Sequence, residues 1–369
     1  MKTLVALCPY VAYSNEQLLK DCVLIPYSFT TLGYQVKLVT AKKEEFTYLK
    51  YLPKLEVDYA PLLPREQWAD YLVNYLKNYQ GKIDRLFCLG LYPDYGPAVT
   101  YFKEHFDGQV ILKLDANPYW MDIIDYQRFP YEELITSCDL ISCEGVAMQS
   151  YLAKKWHRPI DLLRNGFQLK TFNPQLSFTL KENIILNVGR QDKNKNTVIL
   201  VKTFAKLAEQ FPDWKLVLIG NYDPNFELLV RTYYQQKPHL KRQIKLLGPI
   251  ADKNLLESYY ARAKVFALSS YSEGGSPNVI GEALRNGCYI ITSKISAWQD
   301  TFAKNAGASF DHGDLVTLEA NMRQVMSNPA LSQRAFGLNR AYALAELPYE
   351  KQVLRLEKLL KVRRQINGK

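Results

Sequence analysis

The amino-acid sequence predicts an α/β protein made of two doubly wound domains, each built on a parallel sheet. Short apolar runs alternate with longer amphipathic stretches along the chain, and strands that alternate with helices build parallel sheets. The alternation pauses over the polar segment 167–181 and then restarts, which marks the expected domain boundary. The chain of 369 residues is also longer than one hydrophobic core usually serves.

The apolar runs give the positions of the expected strands. In the first half they are Thr3–Leu7, Gln35–Val39, Arg85–Leu89, Val110–Leu114, Leu140–Cys143 and Ile160–Leu163. In the second half they are Ile184–Val188, Lys215–Ile219, Ile244–Leu247, Val265–Leu268 and Tyr289–Thr292. A broad apolar stripe with a basic end predicts one helix at Pro348–Ile366. We therefore expect an N-terminal domain at 1–170, a C-terminal domain at 171–345 and a helix at 346–369 that packs across the domains.

Composition argues against several classes of protein. Apolar residues at 47% and charged residues at 23% are typical of globular proteins, and no window approaches the roughly 20 apolar residues of a spanning helix. The first ten residues are interpreted as a strand rather than a secretory signal. The six cysteines are spread through apolar runs, as reduced cysteines are, and make no metal-binding spacing with the four histidines. A cytoplasmic protein with no metal site is expected.

The charge is distributed unequally along the chain. Residues 1–180 carry a net charge of −1 and residues 181–369 carry +11. Such an excess favours anionic ligands, namely diphosphates, acidic lipids or nucleic acid. No nucleic-acid-binding motif is recognisable, so nucleic acid is not an expected partner. Peripheral contact of the basic helix end with the inner face of a membrane stays open.

The segment 187–196 contains two cations that follow a strand. The strand ends in Gly189, where the missing side chain lets the backbone turn sharply and lets a ligand approach. Arg190 and Lys195 then stand at the carboxyl end of a strand, where doubly wound sheets bind their ligands. A guanidinium grips phosphate oxygens bidentately and an ammonium adds a point charge. A phosphate site is one interpretation, and a solvated turn is the other.

The segment 272–287 is a more specific signal. Gly274 and Gly275 precede a helix in which Ser276 is the expected N-cap and Pro277 the first helical residue. A glycine-rich approach to a helix N-terminus is a ready anion site, because free amides and the helix dipole point at the ligand.

Two polar residues of this helix lie on one face. Asn278 and Glu282 are four residues apart, opposite the apolar stripe. If the Glu282 carboxylate is buried it needs hydrogen-bond donors, which ribose hydroxyls would supply. Gly287 suits the position just past the end of the helix.

These segments, together with others in the same order, resemble the retaining glycosyltransferases of family four, also called group 1 glycosyltransferases. The resemblance spans about Asn165 to Gly313. It is carried by Arg164-Asn165-Gly166-Phe167, Gly189-Arg190, Lys195-Asn196, Leu247-Gly248, Tyr259-Tyr260-Ala261 with Ala263, Glu273-Gly274, Glu282-Ala283, Ala306-Gly307 and Gly313-Asp314. It implies the GT-B fold, with two Rossmann-like domains, an interdomain cleft and a C-terminal helix that crosses back to the N-terminal domain.

The resemblance also implies roles for individual residues. Arg190 and Lys195 would bind the diphosphate of a nucleotide-sugar donor. Glu282 would bind its ribose, and Glu273 the transferred sugar. The expected donor-binding residues are Gly189, Arg190, Lys195, Gly274, Gly275, Ser276, Pro277, Asn278 and Glu282. Members of the family use no metal ion or other cofactor, so the two cations would stabilise the departing diphosphate.

The sequence departs from the family pattern at two places in the expected site. The family usually places seven residues between its two glutamates, whereas Glu273 and Glu282 enclose eight. Strict registration therefore puts Gly274 at the position of the first glutamate. The loop after the first strand, residues 8–13, lacks the glycines that the family has there.

A third departure introduces another candidate. Where family members often have a histidine near the cleft, this sequence reads Lys113-Leu114-Asp115. Asp115 is therefore a candidate for contact with the reacting sugar, and a helix cap or turn is the alternative role. The expected catalytic residues are Glu273, Asp115, Arg190 and Lys195.

The sequence thus predicts a metal-independent, retaining glycosyltransferase. It would move a sugar from a nucleotide-diphosphate donor, with uridine as the expected base, to a glycan, glycolipid or glycoprotein acceptor. The displaced glutamate and the altered first loop motivate a rival hypothesis, a catalytically silent subunit that binds a glycan or a partner transferase. An epimerase acting on a nucleotide sugar is a third. The sequence leaves open the acceptor, the linkage and whether the protein forms homo- or hetero-oligomers.

Overall fold

The computed structural model describes residues 1–8, 12–126 and 131–366 of the chain. These residues form two compact units, one of Met1–Leu169 with Pro348–Lys369 and one of Lys170–Leu347. Each unit is built on one parallel sheet, so the predicted α/β class with two parallel sheets is confirmed.

The sheet of the first unit has seven strands in the order β3-β2-β1-β4-β5-β6-β7. Its strands are β1 (Lys2–Leu7), β2 (Tyr34–Thr40), β3 (Leu55–Tyr59), β4 (Arg85–Leu89), β5 (Gln109–Lys113), β6 (Leu140–Cys143) and β7 (Asp161–Leu162). Its helices are α1 (Asn15–Leu18), α2 (Asp21–Ser28), α3 (Trp68–Lys77), α4 (Gly96–His105), α5 (Pro118–Ile123), α6 (Tyr131–Ser137), α7 (Val146–Trp156) and the last helix of the chain, α15 (Tyr349–Ile366). Apolar clusters lie on both faces of this sheet, as a doubly wound fold requires.

The sheet of the second unit has six strands in the order β10-β9-β8-β11-β12-β13. Its strands are β8 (Glu182–Val188), β9 (Lys215–Ile219), β10 (Ile244–Leu246), β11 (Ala263–Leu268), β12 (Tyr289–Ser293) and β13 (Gly307–Phe310). Its helices are α8 (Val198–Leu207), α9 (Pro224–Gln236), α10 (Leu240–Gln243), α11 (Lys253–Arg262), α12 (Asn278–Arg285), α13 (Leu315–Ser327) and α14 (Pro329–Glu346). The strand order reverses between β8 and β11, where a doubly wound sheet leaves room for a ligand.

Two strands, β3 and β13, were not predicted from the sequence. Each lies at an edge of its sheet, and neither is fully buried along its length. An edge strand can carry polar and small residues because only one side is paired and its faces are less covered. The apolar runs that reveal the central strands are therefore missing from these two.

The last helix, α15, completes the core of the first unit. Val353, Leu356 and Leu360 are buried in the same apolar cluster as α2 and the central strands. The Glu357 carboxylate is buried beside them and accepts hydrogen bonds from Arg85 Nη2 at 3.0 and 3.1 Å. It also accepts one from the Tyr34 hydroxyl at 3.0 Å. A buried ion pair thus joins the helix to the amino ends of β2 and β4.

The cysteines are buried free thiols, as predicted for reduced core residues. Burial raises the pKa of Cys8 and of Cys138 to about 12, so both thiols stay protonated and unreactive. Within the described ranges, no helix combines the length and the apolar character that crossing a membrane requires.

Candidate functional site

Two loops predicted to carry the site lie side by side because their strands are neighbours. Strand β8 pairs with β11 in parallel, so the loops that follow them, 189–197 and 269–277, emerge at the same edge of the sheet. We call them the cation loop and the glycine loop. They flank the point where the strand order of the second unit reverses.

Hydrogen bonds hold the two loops together. The Tyr271 amide donates to the Asn194 carbonyl at 2.8 Å, and the Asn194 side-chain amide donates to the Ser272 carbonyl at 2.9 Å. The Ser269 hydroxyl donates to the Lys195 carbonyl at 2.8 Å. The positions of the functional groups on one loop are therefore set by the other.

The sharp turn predicted at Gly189 is present. Its φ is 152°, in the region that favours glycine. A second glycine supports it, since Gly220 at the end of β9 has a φ of 130°. A Cβ on Gly220 would lie 2.0 Å from the Gly189 carbonyl oxygen. No side chain fits at residue 220 unless the cation loop moves.

Lys195 and Glu273 form an ion pair between the two loops. Lys195 Nζ lies 2.5 Å from Glu273 Oε1, and both side chains are half-buried. The Ser270 hydroxyl donates to the same carboxylate oxygen at 2.5 Å. The backbone amide of Lys195 donates to Asp192 Oδ1 at 2.9 Å, which fixes the turn before it. The structure therefore brings these two predicted site residues into direct contact.

Arg190 lies on the cation loop but is not buried in it. Its side chain is 73% exposed, and its Nη2 atom lies 3.4 Å from Asp192 Oδ2. An exposed ion pair contributes little to stability, so the Arg190 guanidinium can leave Asp192 with little loss of free energy.

Helix α12 begins at Asn278, one residue later than predicted. Pro277 has a ψ of 144°, an extended conformation, and therefore occupies the N-cap position that was predicted for Ser276. Ser276 and Gly275 are buried, whereas Gly274 is half-buried. The helix end agrees with the prediction, because Gly287 has a left-handed φ of 73° and a Cβ there would lie 2.5 Å from the Phe336 ring.

Glu282 is half-buried on α12 and lies beside Tyr260 of α11. Burial raises the pKa of the Tyr260 hydroxyl well above its usual range, and the neighbouring Glu282 carboxylate raises it further. Tyr260 is thus a neutral hydroxyl next to the carboxylate. Arg285 lies one turn further along α12, and its Nε atom donates a hydrogen bond to Glu257 of α11 at 3.2 Å. The packing of α11 against α12 therefore positions Glu282.

In the first unit, Asp115 is exposed and follows β5 by two residues. Beneath it lies a cluster of buried charges that the sequence analysis did not identify. Lys113 Nζ lies 2.8 Å from Asp21 Oδ2 and 2.5 Å from Glu144 Oε1. Burial acts to lower the pKa of Lys113, but Asp21, Glu144 and Asp115 together raise it above its usual range. Residues 9–11 of the loop after β1, at which the family's glycines are missing, lie outside the described residues.

We expect Glu144→Gln to alter the pH dependence of stability. Burial raises the pKa of Glu144 from 4.5 to about 8, although Lys113 opposes this shift. A carboxyl with a higher pKa in the folded state takes up a proton on folding between these values, so its contribution to stability falls as pH rises from about 4.5 to about 8. Glutamine does not titrate. The melting temperature of the variant, relative to wild type, should therefore increase toward pH 8.

Melting curves recorded between about pH 5 and about pH 9 would check this expectation. Glu132→Gln, a change at an exposed carboxylate of α6, is the matched control and should show no such trend. If the difference in melting temperature between Glu144→Gln and wild type stays constant over this pH range, the expectation is contradicted.

Some of the residues that shape these sites carried a signal in the sequence. A lysine within the otherwise apolar run Val110–Leu114, and a glutamate directly after Leu140–Cys143, are charges where burial is expected. A buried charge needs a partner of opposite sign, so a lysine and a glutamate at such positions indicate a buried ion pair. Ser270 carried no comparable signal.

Comparison with known proteins agrees with the predicted family. Residues 170–339 match the family model for glycosyl transferases group 1. A Campylobacter jejuni protein is 28% identical over 197 residues, which are 53% of this chain and 48% of that protein. It is an N-acetylgalactosamine-N,N'-diacetylbacillosaminyl-diphospho-undecaprenol 4-alpha-N-acetylgalactosaminyltransferase. The chain spans about half the length of the curated relatives it matches.

Solved structures match over nearly the whole chain. Sucrose-phosphate synthase from Thermosynechococcus elongatus has a TM-score of 0.72 at 20% identity, with 100% of both chains covered. The Anabaena protein HepE, in complex with UDP, has a TM-score of 0.70 at 15% identity, with 97% of this chain and 100% of that chain covered. At these identities the likeness shows the fold, which is GT-B. The similarity to the group 1 glycosyltransferases therefore covers residues 170–339, which lie in the second unit.

Proposed function

We propose that the protein transfers a sugar from a nucleoside-diphosphate sugar to an acceptor hydroxyl, with retention of the anomeric configuration and without a metal ion. The observation that carries the proposal is the Lys195–Glu273 pair, held between two joined loops at the edge of the second sheet. A cation and a carboxylate placed together can serve the two parts of such a donor. The ammonium suits a diphosphate, and the carboxylate suits sugar hydroxyls.

The diphosphate would lie across the cation loop and the start of α12. Arg190 is exposed and can turn from Asp192 to a phosphate, while Lys195 would exchange Glu273 for a second phosphate oxygen. Two cations and the positive end of a helix dipole would then face the leaving group. As the bond to the anomeric carbon breaks, negative charge develops on the diphosphate, and these groups stabilise it more strongly than they stabilise the intact donor.

The two glutamates would bind the remaining parts of the donor. Glu282, on the half-buried face of α12, would accept hydrogen bonds from the ribose hydroxyls. Glu273 would accept them from the transferred sugar once Lys195 has moved to the phosphate. Its contact with Lys195 supports Glu273, rather than Gly274, as the residue that acts at the first glutamate position.

Uridine is the proposed base and a lipid-linked glycan the proposed class of acceptor. The base is supported by the Anabaena structure, which contains UDP. The acceptor class is supported by two Campylobacter jejuni relatives whose names describe transfer of N-acetylgalactosamine to diphospho-undecaprenol-linked acceptors. Asp115, exposed at the carboxyl edge of the first sheet, is the proposed contact of the first unit with the reacting sugar.

We expect one nucleoside diphosphate to raise the melting temperature of the protein in the absence of divalent metal. UDP, GDP and ADP, with their common sugar conjugates, would be compared by thermal shift. A ligand at about 100 times its dissociation constant stabilises the protein by about 2.7 kcal/mol. For a unit of this size that is a shift of about 5 to 10 °C.

Arg190→Ala should abolish this shift without lowering the melting temperature of the unliganded protein, because Arg190 is exposed. Arg242→Ala, at another exposed arginine of the second unit, should keep it. If no nucleotide stabilises the wild-type protein, the donor assignment is overturned, and the silent binding subunit becomes the better interpretation. A shift that appears only with divalent metal would overturn metal independence alone.

A further inference from the structure

A cavity of about 640 Å³ lies in the second unit, beside the edge strand β10. Its volume is within the range of about 300 to 1,000 Å³ that ligand pockets have. Side chains of α9, α10 and β10 line it together with the loops beside them. Among the described residues that line the cavity, none belongs to the cation loop or the glycine loop, so the cavity is distinct from the proposed donor site.

Helix α9 turns one face toward the cavity and the opposite face toward the core. Phe226 and Val230 are buried in the core of the second unit. The residues that line the cavity recur at the spacing of one side of a helix, and they are Glu227, Arg231, Tyr234 and Gln235. A single face of α9 therefore forms one wall of the cavity.

The cavity carries a net positive charge. Within the described part of the chain, Glu227 is the one carboxylate that lines it, and it accepts hydrogen bonds from Arg231 at 2.6 and 3.0 Å. That pair is neutral. Lys241 and Lys245 have no carboxylate partner among the described residues, and Lys245 Nζ donates to the Lys241 carbonyl oxygen at 3.0 Å. Two ammonium groups thus remain for an anionic ligand to neutralise.

The other groups that line the cavity suit a sugar. Tyr222 and Tyr234 are half-buried, and the aliphatic side chains of Ile244 and Leu246 lie beside them. The C–H bonds of a sugar ring can pack against the negative face of an aromatic ring. The hydroxyl of Tyr222 and the amide of Gln235 can both donate and accept hydrogen bonds, as sugar hydroxyls do.

A hydrogen bond at β10 argues against a peptide as the ligand. An exposed edge strand can bind a peptide by adding a strand to the sheet, which uses the free carbonyls and amides of the edge. Here the Tyr234 hydroxyl donates to the Ile244 carbonyl oxygen at 3.0 Å. An added strand would have to displace this side chain, whereas a ligand that is recognised by side chains alone would not.

From this combination we propose that the cavity binds an acidic oligosaccharide, one whose sugars carry carboxylate groups. The ammonium groups of Lys241 and Lys245 pair with the carboxylates, and the rings of Tyr222 and Tyr234 pack against the sugar faces. The proposal goes beyond the proposed transfer reaction and does not depend on it, because no residue of the donor site takes part.

Isothermal titration calorimetry of the full chain tests the proposal. The acidic probes are tetragalacturonate, with a carboxylate on every sugar, and a hyaluronan tetrasaccharide, with a carboxylate on every second sugar. The neutral control is the tetramer of N-acetylglucosamine. We expect saturable binding of the acidic tetrasaccharides that weakens between about 50 mM and about 500 mM salt. The neutral tetramer should bind about tenfold more weakly, because it lacks the ion pairs.

Matched variants separate the cavity from general basicity. Lys241→Gln/Lys245→Gln should raise the dissociation constant about tenfold, because each exposed ion pair contributes about threefold. Lys202→Gln/Lys304→Gln removes the same charge from exposed positions outside the cavity and should change the constant less than about twofold. Tyr222→Leu should raise it about fivefold at both salt concentrations, since salt does not screen stacking.

Two further measurements separate this site from the donor site. Arg190→Ala should bind the acidic tetrasaccharides as tightly as wild type does. Lys241→Gln/Lys245→Gln should keep the thermal shift with nucleotides. The cavity and the donor site can therefore fail independently of each other.

Several results would overturn the proposal. They are no saturable binding of either acidic tetrasaccharide to the wild type, equally tight binding of the neutral tetramer, equal loss in the two lysine variants, and no loss in Tyr222→Leu. Tighter binding of random-sequence duplex DNA than of the tetrasaccharides, dependent on Lys241 and Lys245, would assign the cavity to nucleic acid instead.

Discussion

Lys195→Ala should lower the turnover of the donor sugar by about 10²- to 10³-fold, the usual loss when one group that stabilises transition-state charge is removed. In the structure Lys195 Nζ contacts Glu273 at 2.5 Å, at the edge where the strand order reverses. In the proposed role the ammonium leaves Glu273 when the donor binds and stabilises the leaving diphosphate. The effect should appear mainly in kcat, because charge on the diphosphate grows as the bond breaks.

Lys193→Ala is the control for this experiment. Lys193 lies on the same loop, two residues away, and is exposed. Its removal lowers the positive charge near the site by the same amount without touching Glu273, and we expect less than about threefold loss, within the range of a screened surface charge. Turnover would be followed as release of the nucleoside diphosphate. Equal losses in the two variants would contradict a specific role for Lys195.

Glu357→Ala should destabilise the first unit by about 3–5 kcal/mol, the cost of leaving one member of a buried ion pair without its partner. Arg85 donates three hydrogen bonds to this carboxylate, at 3.0 to 3.2 Å, and both side chains are buried. Without Glu357 the guanidinium keeps its charge, because arginine does not deprotonate in proteins. The loss should appear in urea unfolding as a lower midpoint of the first unit's transition.

Two further variants identify the source of that loss. Glu350→Ala changes a glutamate on the same helix whose hydrogen bond to Leu169 is exposed, and should cost less than about 1 kcal/mol. Arg85→Met/Glu357→Leu removes both charges and replaces them with apolar side chains, so most of the stability should return. If the double variant is as unstable as Glu357→Ala, then lost packing and not an unpaired charge explains the effect.

The sequence was informative where burial imposes a pattern. Central strands such as β4 and β9 are largely buried and were predicted with their observed bounds, because a strand covered on both faces is mostly apolar. The edge strands β3 and β13 escape this constraint. The same reason explains why helix α15 was evident, since one of its faces fills a core.

The candidate site was predictable where backbone conformation restricts residue type. Gly189 and Gly287 have positive φ values, and their positions indicated the turns at which they lie. Pairings between distant side chains were not predictable in this way. The contact of Lys113 with Asp21 and Glu144, and that of Lys195 with Glu273, depend on how strands and helices are ordered in each unit. Nothing in local sequence specifies that order.

The place of α15 in the chain has a consequence for biosynthesis. The second unit is one continuous segment, Lys170–Leu347, and can close its core as soon as that segment has left the ribosome. The first unit begins earlier but must wait, because Val353, Leu356 and Leu360 are translated after the second unit. Until they arrive, the apolar surface beside α2 stays uncovered, and such surface favours aggregation and recruits chaperones. The unit translated first is thus the unit completed last.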